Sequence, residues 1–410
     1  MTHDSEWKRL LKGNIGIMIL TSGLWNLGGN LTGPFFSLYV LALGGNYVDV
    51  GLIAALRAVV GIVPHFLGGY LADSLGRKKM LYSMSFLLSF DQLLYAFAPG
   101  YQFLLAVVAF DALFSGFREP AFFALIADST RPQNRAFAYA MWQIIPPFFS
   151  VFSPYLGGVL IDNYGMLVAM RWGYVGVFIT SMVASILRFH LLKETLQNAS
   201  NQVQGVRETA TDAFTDLKTA FKSLPRTLWM VFVLSFMSNL AHSLCGSFFV
   251  TYASDEGKLT AGQWGFISTT LTFINTAIRI PSAWASDRYG RTKFIFPSLF
   301  LLPLIYFLYA NSLDFYSIAT VMMVNSVVES VQGPSREALL IDLSPRSLRG
   351  RINAILSVPN LLIGSAANVA GGVLYQDISA RAPFLTSSAV LLGTAVIAVL
   401  TIREPKKREE

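Results

Sequence analysis

Charged side chains are scarce in this sequence. They make up 13% of its 410 residues, where an ordinary soluble domain carries about 25%. That scarcity excludes a chain with a fully solvated surface. Cysteine occurs once, at Cys245, so no intrachain disulfide can form, and the residue reads as a small apolar packing group. The four histidines, His3, His65, His190 and His242, are scattered without ligand spacing, which argues against a metal site. No G-x-x-x-x-G-K-[ST] phosphate loop and no nucleophile elbow occurs, so neither an ATP-driven pump nor an enzyme of that kind is expected, and no cofactor is implied. The first dozen residues are polar and the first apolar run is too long for a signal-peptide core, so no cleavable leader is expected.

Apolar residues are abundant instead. They account for 53% of the chain, and the mean hydropathy is +0.51. A membrane-spanning helix needs about 20 mostly apolar residues, and such runs recur. They are too long and continuous for the alternating strands of a barrel. Twelve spans are expected, at roughly 14–43, 48–72, 80–98, 101–127, 136–161, 168–192, 227–253, 262–286, 293–311, 315–341, 351–376 and 381–402. The net charge is +7, but the cations sit between apolar runs, a pattern that reads as topology rather than nucleic-acid binding. Lys8, Arg9, Lys12, Arg77, Lys78, Lys79, Arg131, Arg135, Arg288, Arg291, Lys293, Arg346, Arg349 and Arg403 fall in connections on one side. The positive-inside rule puts both termini in the cytoplasm. The longest polar segment lies between spans 6 and 7. Phe214, Leu217, Phe221 and Leu224 share one helical face there, which predicts an amphipathic helix on the membrane surface or against the bundle.

The two halves repeat. "GGYLADSLGRKKM" (68–80) and "SAWASDRYGRTKF" (282–294) carry Asp73, Gly76 and Arg77 and Asp287, Gly290 and Arg291 at an offset of 214 residues. At the same offset Pro120, Asp128, Gly157 and Gly158 match Pro334, Asp342, Gly371 and Gly372. One residue closer, Asn26, Phe35 and Tyr39 match Asn239, Phe248 and Tyr252. Two parallel six-helix halves joined by a central loop form a transporter architecture. The expected domains are a bundle at 1–192, a cytoplasmic linker at 193–226 and a second bundle at 227–410.

With these motifs in place, the whole chain resembles the major facilitator superfamily. The strongest element is that family's loop between helices 2 and 3, G-x-x-x-D-x-x-G-R-[RK]-[RK], present as Gly69, Asp73, Gly76, Arg77, Lys78 and Lys79, with a degenerate copy after span 8. The resemblance implies an all-α membrane protein with twelve transmembrane helices in two pseudo-symmetric bundles, multi-pass in the cell (inner) membrane. It also implies a latch on the cytoplasmic side, built from Gly69, Asp73, Gly76, Arg77 and Asp128 with Asp287, Gly290, Arg291 and Asp342 as its repeat. Asp73 is expected to face the positive end of a neighbouring helix, and Arg77 to bridge to Asp128. "SPYLGG" (153–158) resembles the helix 5 motif of proton-driven exporters, with Ser153 in place of a glycine. The arginine such exporters carry in helix 4 is missing near Phe110 and Asp111, and Arg118 comes about two turns later.

Ionisable groups within a span are costly, roughly 3 kcal/mol on insertion scales, so they face partners or wet cavities. Arg57, Asp91, Asp111, Arg118, Glu119, Arg279 and Glu329 are such groups. Asp111, Ser115, Arg118 and Phe122 fall on one helical face, and the repeat puts Asn325, Glu329, Gln332 and Arg336 at the same register in span 10. In the family, helices 1, 4, 7 and 10 line the central cavity. The pathway candidates are therefore Asn26, Asn30, Arg57, Asp111, Arg118, Glu119, Asn239, His242, Arg279, Asn325, Glu329 and Gln332. Arg118 is read either as a binder of an anionic substrate group or as a partner neutralising Asp111 or Glu329, and Asp91 as holding a structural hydrogen bond. The leading expectation is a monomeric secondary transporter working by alternating access, with the lipid bilayer and a small-molecule substrate as its partners. It would exchange protons for amphipathic or drug-like compounds, with a proton gradient as energy source. A carrier of a small organic anion or other polar solute is the alternative, and a non-transporting sensor a third reading.

Overall fold

The computed structural model describes residues 13–196, 226–343 and 349–401, and these residues are almost entirely helical, with no strand among them. Helix α1 (Asn14–Thr32) passes through a 3-10 turn (Gly33–Phe35) into α2 (Phe36–Ala42). Then come α3 (Tyr47–Leu75), α4 (Arg77–Ala96), α5 (Tyr101–Asp128), α6 (Arg135–Phe148), α7 (Ser153–Tyr164) and α8 (Met166–Leu191). The later part repeats this order. Helix α9 (Arg226–Cys245) passes through a 3-10 turn (Gly246–Phe248) into α10 (Phe249–Asp255). It is followed by α11 (Ala261–Tyr289), α12 (Thr292–Tyr309), α13 (Phe315–Leu343), α14 (Arg349–Val373), a π turn (Leu374–Ile378) and α15 (Ala382–Thr401). Seven of the described helical segments are long and apolar enough to cross a membrane by length and composition.

Four expected spans are not single α-helices, the one at 351–376 because α14 ends at Val373 and passes into the π turn. Span 136–161 breaks between Phe148 and Ser153. Pro146 and Pro147 end α6, and Pro154 opens α7 at a position where its missing N–H costs nothing. Spans 14–43 and 227–253 each tighten into a 3-10 turn at matching repeat positions. The amphipathic helix expected within 193–226 falls on residues 197–225, outside the described residues.

The chain forms two compact units that exchange short segments. One comprises residues 1–45, 56–204 and 260–269; the other comprises 46–55, 205–259 and 270–410. The exchanged pieces, 46–55 and 260–269, are 214 residues apart, so the exchange follows the repeat. Each piece is a helix start with a reciprocal cap. The Asn46 N–H donates to Asp49 Oδ2 at 2.8 Å and the Asp49 N–H to Asn46 Oδ1 at 3.0 Å. The Thr260 N–H donates to Gln263 Oε1 at 3.0 Å and the Gln263 N–H to Thr260 Oγ1 at 3.2 Å. Two otherwise orphaned amides are thus satisfied at each helix start.

Within the first unit, Asp162 takes the Thr260 hydroxyl at 2.9 Å and the Ala261 and Gly262 amides at 2.9 and 2.8 Å. Within the second, the repeat partner Gln376 takes the Val48 amide at 3.4 Å. Gly158 and Gly372 make these approaches possible. A Cβ on Gly158 would run into the Ala261 carbonyl, and one on Gly372 into the Tyr47 carbonyl. Small residues also bring helices together inside each unit. Ser89 of α4 meets Ser185 of α8 at 3.1 Å, and the Ser387 hydroxyl of α15 donates to the Ala241 carbonyl of α9 at 2.7 Å.

Candidate transport site and latch

In the second unit α9, α12, α13, α14 and α15 line a half-open cavity of about 490 Å³, within the range of roughly 300–1,000 Å³ typical of small-molecule sites. Its lining includes Asn239 and His242 from α9, Tyr306 from α12, and Glu329, Gln332 and Arg336 from α13. Asn239 is braced by donating to the Asn360 carbonyl at 2.7 Å, and His242 Nδ1 lies 3.4 Å from the Tyr306 hydroxyl. Asn325, two turns from Gln332, is buried instead, and among the described residues its Oδ1 has no hydrogen-bond partner. Arg279 on α11 is half-buried and does not line this cavity.

In the first unit the expected polar face of α5 splits among separate neighbours. Asp111 forms its ion pair with Arg57 of α3 at 2.8 Å, while Arg118, two turns on, interacts with Asp111 only at longer range. Arg118 lies over the Trp25 ring, 4.6 Å from its centroid, in a cation–π contact. Glu119 approaches His65 at 3.7 Å. Phe122, one turn beyond Arg118, is buried against Trp142 at 5.2 Å, so it does not extend a polar stripe. Asn30 donates to the Ser150 hydroxyl at 2.8 Å, and Asn26 is half-buried. Asp91 on α4 is fully buried, and neither carboxylate oxygen has a hydrogen-bond partner among the described residues. This overturns the structural hydrogen bond expected for it.

Arg188 went unread in the sequence. An arginine near the end of an apolar span looks like an inside-positive anchor, yet this one turns inward and is buried. It donates to Thr21 Oγ1 at 3.0 Å and to Ser85 Oγ at 2.8 Å, and it faces Trp25 and Phe122 at 5.9 and 5.7 Å. Two guanidinium groups therefore lie within about 6 Å of one tryptophan ring, at 4.6 and 5.9 Å from its centroid.

At the junction of α3 and α4, Arg77 donates to Asp73 Oδ1 at 3.1 Å, to the Ala124 carbonyl at 3.3 Å and to Asp128 Oδ2. Asp73 thus pairs with Arg77, the first residue of α4. The side chain of Arg77 is only 16% exposed while that of Asp73 is 59% exposed, so the guanidinium is shielded and water reaches the network from the Asp73 side. Gly76 adopts φ +98°, open to glycine at little cost. Gly69 packs toward Pro120 of α5. Glu194, another residue the sequence did not single out, accepts the Arg77 and Lys78 amides at 3.2 and 3.0 Å and so caps α4. In the repeat, Arg291 meets Asp287 at 3.4 Å beside Gly290 at φ +99°. The side chain of Asp342 lies outside the described residues.

The family model of the Major Facilitator Superfamily matches residues 18–259 and 231–410. The chain belongs to that superfamily. An uncharacterized MFS-type transporter of Methanocaldococcus jannaschii is 22% identical over 397 residues, covering 96% of this chain and 99% of its own. The multi-drug resistance efflux pump PmrA of Streptococcus pneumoniae is 22% identical over 387 residues, covering 93% and 94%. Among solved structures, the human organic anion transporter MFSD10 superposes with a TM-score of 0.67 at 17% identity, covering 94% of this chain and 98% of that one. This MFS chain is a multi-pass membrane protein with the superfamily's fold. Its Arg77 network carries the family's loop motif, and the cavity and the two arginines near Trp25 are built from its own residues.

Proposed function

We propose that this MFS chain is a secondary transporter that works by alternating access and exports amphipathic or drug-like compounds in exchange for protons. One observation carries the reading. The cavity of about 490 Å³ holds the carboxyl of Glu329 as its one carboxyl, among amide, imidazole, phenol, hydroxyl and apolar side chains, with the Arg336 guanidinium also on the lining. A single ionisable carboxyl in such a site can bind a cation's charge or a proton, and the two compete. The relative named for multidrug efflux supports the same direction of transport.

The test is flux in proteoliposomes with an imposed pH gradient. Wild-type protein is expected to drive accumulation of a fluorescent amphipathic cation. Glu329→Gln, fixed in the neutral form, is expected to bind or exchange the compound without concentrating it. Gradient-driven accumulation by the Gln variant at wild-type rates would remove Glu329 from the mechanism.

A second reading, a carrier of an organic anion, is favoured by Arg118 and Arg188 near Trp25. Among the described residues neither guanidinium has a carboxylate within ion-pair distance. Uptake of an anionic dye that is abolished by Arg118→Lys would favour it over export of cations.

A further inference from the structure

Asp91, Asp111 and Arg57 form a graded cluster in the first unit. The Arg57 side chain is 56% exposed, that of Asp111 19%, and Asp91 0%. Arg57 borders open space and Asp91 does not, so the cluster has an open end and a closed end. Arg57 holds Asp111 at 2.8 Å and approaches the Tyr95 hydroxyl at 3.5 Å. Tyr95 sits one turn beyond Asp91 on the same face of α4.

Among the described residues Arg57 is the cation within electrostatic reach of Asp91. From α3 comes Arg57 and from α5 Asp111, both within electrostatic reach. From its own helix comes Tyr95, and from α8 Tyr174, stacked on Tyr95 at 5.0 Å. From α2 comes Tyr39, whose hydroxyl donates to the Tyr95 carbonyl at 2.8 Å. Arg171 of α8 donates to the Ala98 carbonyl at 3.4 Å. The cluster thus holds two carboxyls and one guanidinium. An ionised carboxylate with no donor in a buried site is strongly disfavoured, and Asp91 has no donor among the described residues.

We propose that Asp91, Asp111 and Arg57 are a proton-binding site that carries one proton between two carboxyls. While Arg57 pairs with Asp111, the proton resides on Asp91. When Arg57 turns toward Asp91, the Asp91 O–H bond breaks, the proton passes to Asp111, and the guanidinium pairs with the new carboxylate. Proton count and net charge are the same in both arrangements, and exchange with water occurs at the open, Asp111 end. Tyr95, stacked on Tyr174 and with its hydroxyl 3.5 Å from Arg57, stands beside the guanidinium one turn from Asp91. The role of this site in transport rests on the proton-coupled reading above, but its protonation does not.

The experiment is infrared spectroscopy of the detergent-purified full chain, following the C=O band of protonated carboxyls from pH 5 to 9 without substrate. The expected results are loss of one band component in Asp91→Asn and its retention in Glu329→Gln. In Asp111→Asn, which leaves Arg57 only Asp91 to pair with, the band is expected to vanish at neutral pH. The asparagine variants are close in shape to the neutral acid. Should Asp91→Asn not fold, the Asp111→Asn arm still reads Asp91 directly. A wild-type band in Asp91→Asn, or an unchanged one in Asp111→Asn, overturns the proposal. Absence of pH-driven flux in wild-type proteoliposomes, with these bands as expected, would instead overturn the transport reading alone.

Discussion

Asp255 offers a quantitative test of how this conformation is held. Within the second unit its Oδ2 accepts the Tyr47 hydroxyl at 2.7 Å and the Tyr375 hydroxyl at 2.8 Å, and the two rings lie 4.4 Å apart. This clasp ties the start of α3 to the end of α10 and to the start of the π turn after α14. Hydrogen bonds to a charged acceptor contribute roughly 1.5–3 kcal/mol when buried. Asp255 is half-buried, and each tyrosine deletion leaves it the other donor. Tyr47→Phe and Tyr375→Phe should therefore cost about 1 kcal/mol each. Asp255→Ala strands both hydroxyls and should cost about 2–4 kcal/mol. The chain supplies its own reporter, because its single cysteine, Cys245, is buried and reacts only on opening. With about tenfold in population per 1.4 kcal/mol, thiol labelling should quicken about fivefold in each Phe variant. In Asp255→Ala it should quicken at least about thirtyfold. The double Phe variant should exceed the sum of the singles, since the second loss leaves the carboxylate with neither phenol. Wild-type labelling rates in all four variants, or strict additivity, would refute the argument.

Further predictions concern the latch, a cap, the arginines and pH. Gly76→Ala forces a side chain into a backbone region costing about 1–3 kcal/mol and sets its Cβ 2.9 Å from Glu194 Oε2, so thermal unfolding should come earlier than in wild type. Asp162→Ala removes the acceptor for three donors at the start of α11 and should cost about 1–2 kcal/mol of stability, with Asp162→Asn milder in the same melt. Arg118→Lys cannot lie flat over Trp25; if organic anions are substrates, their affinity should fall at least about tenfold in a thermal-shift titration, and equal affinity removes that reading. The Asp314 carboxyl is held below its ordinary range by the Ser317 hydroxyl and by amides at the start of α13. Its stabilisation is therefore present above the ordinary carboxyl range and lost as pH falls through the lowered value. Asp314→Asn should show a smaller loss of melting temperature between pH 5 and 3 than wild type, and an equal loss would show that the cap contributes nothing.

The legible parts of this molecule were those written twice or set by hydropathy. The 214-residue repeat, found from Asp73 and Asp287, also marks Gly158 with Gly372 and the caps at Asn46 and Thr260. The Arg77–Asp128 contact could be anticipated because both residues sit at ends of helices that neighbour each other in the chain. Other contacts were not readable. The clasp occurs once, since the repeat positions of Tyr47, Asp255 and Tyr375 are Ala261, Ala42 and Ile161. Helical spacing put Asp111 and Arg118 on one face, but which neighbour turns toward each is decided by α1 and α3, which supply Trp25 and Arg57. A lone carboxyl such as Asp91 gives no sign in sequence of whether a donor will meet it.

The exchanged helix starts set an order for the birth of the protein. Asp162 emerges from the ribosome about 100 residues before the amides of Ala261 and Gly262 that it holds. The first unit cannot be finished until residues 260–269 have followed, and the second unit draws residues 46–55 from a stretch made long before the rest of it. Either half made alone would present a cap without its helix or a helix start without its neighbour. Two separately translated halves should therefore survive membrane quality control only when made together, each acting as the template on which the other is completed.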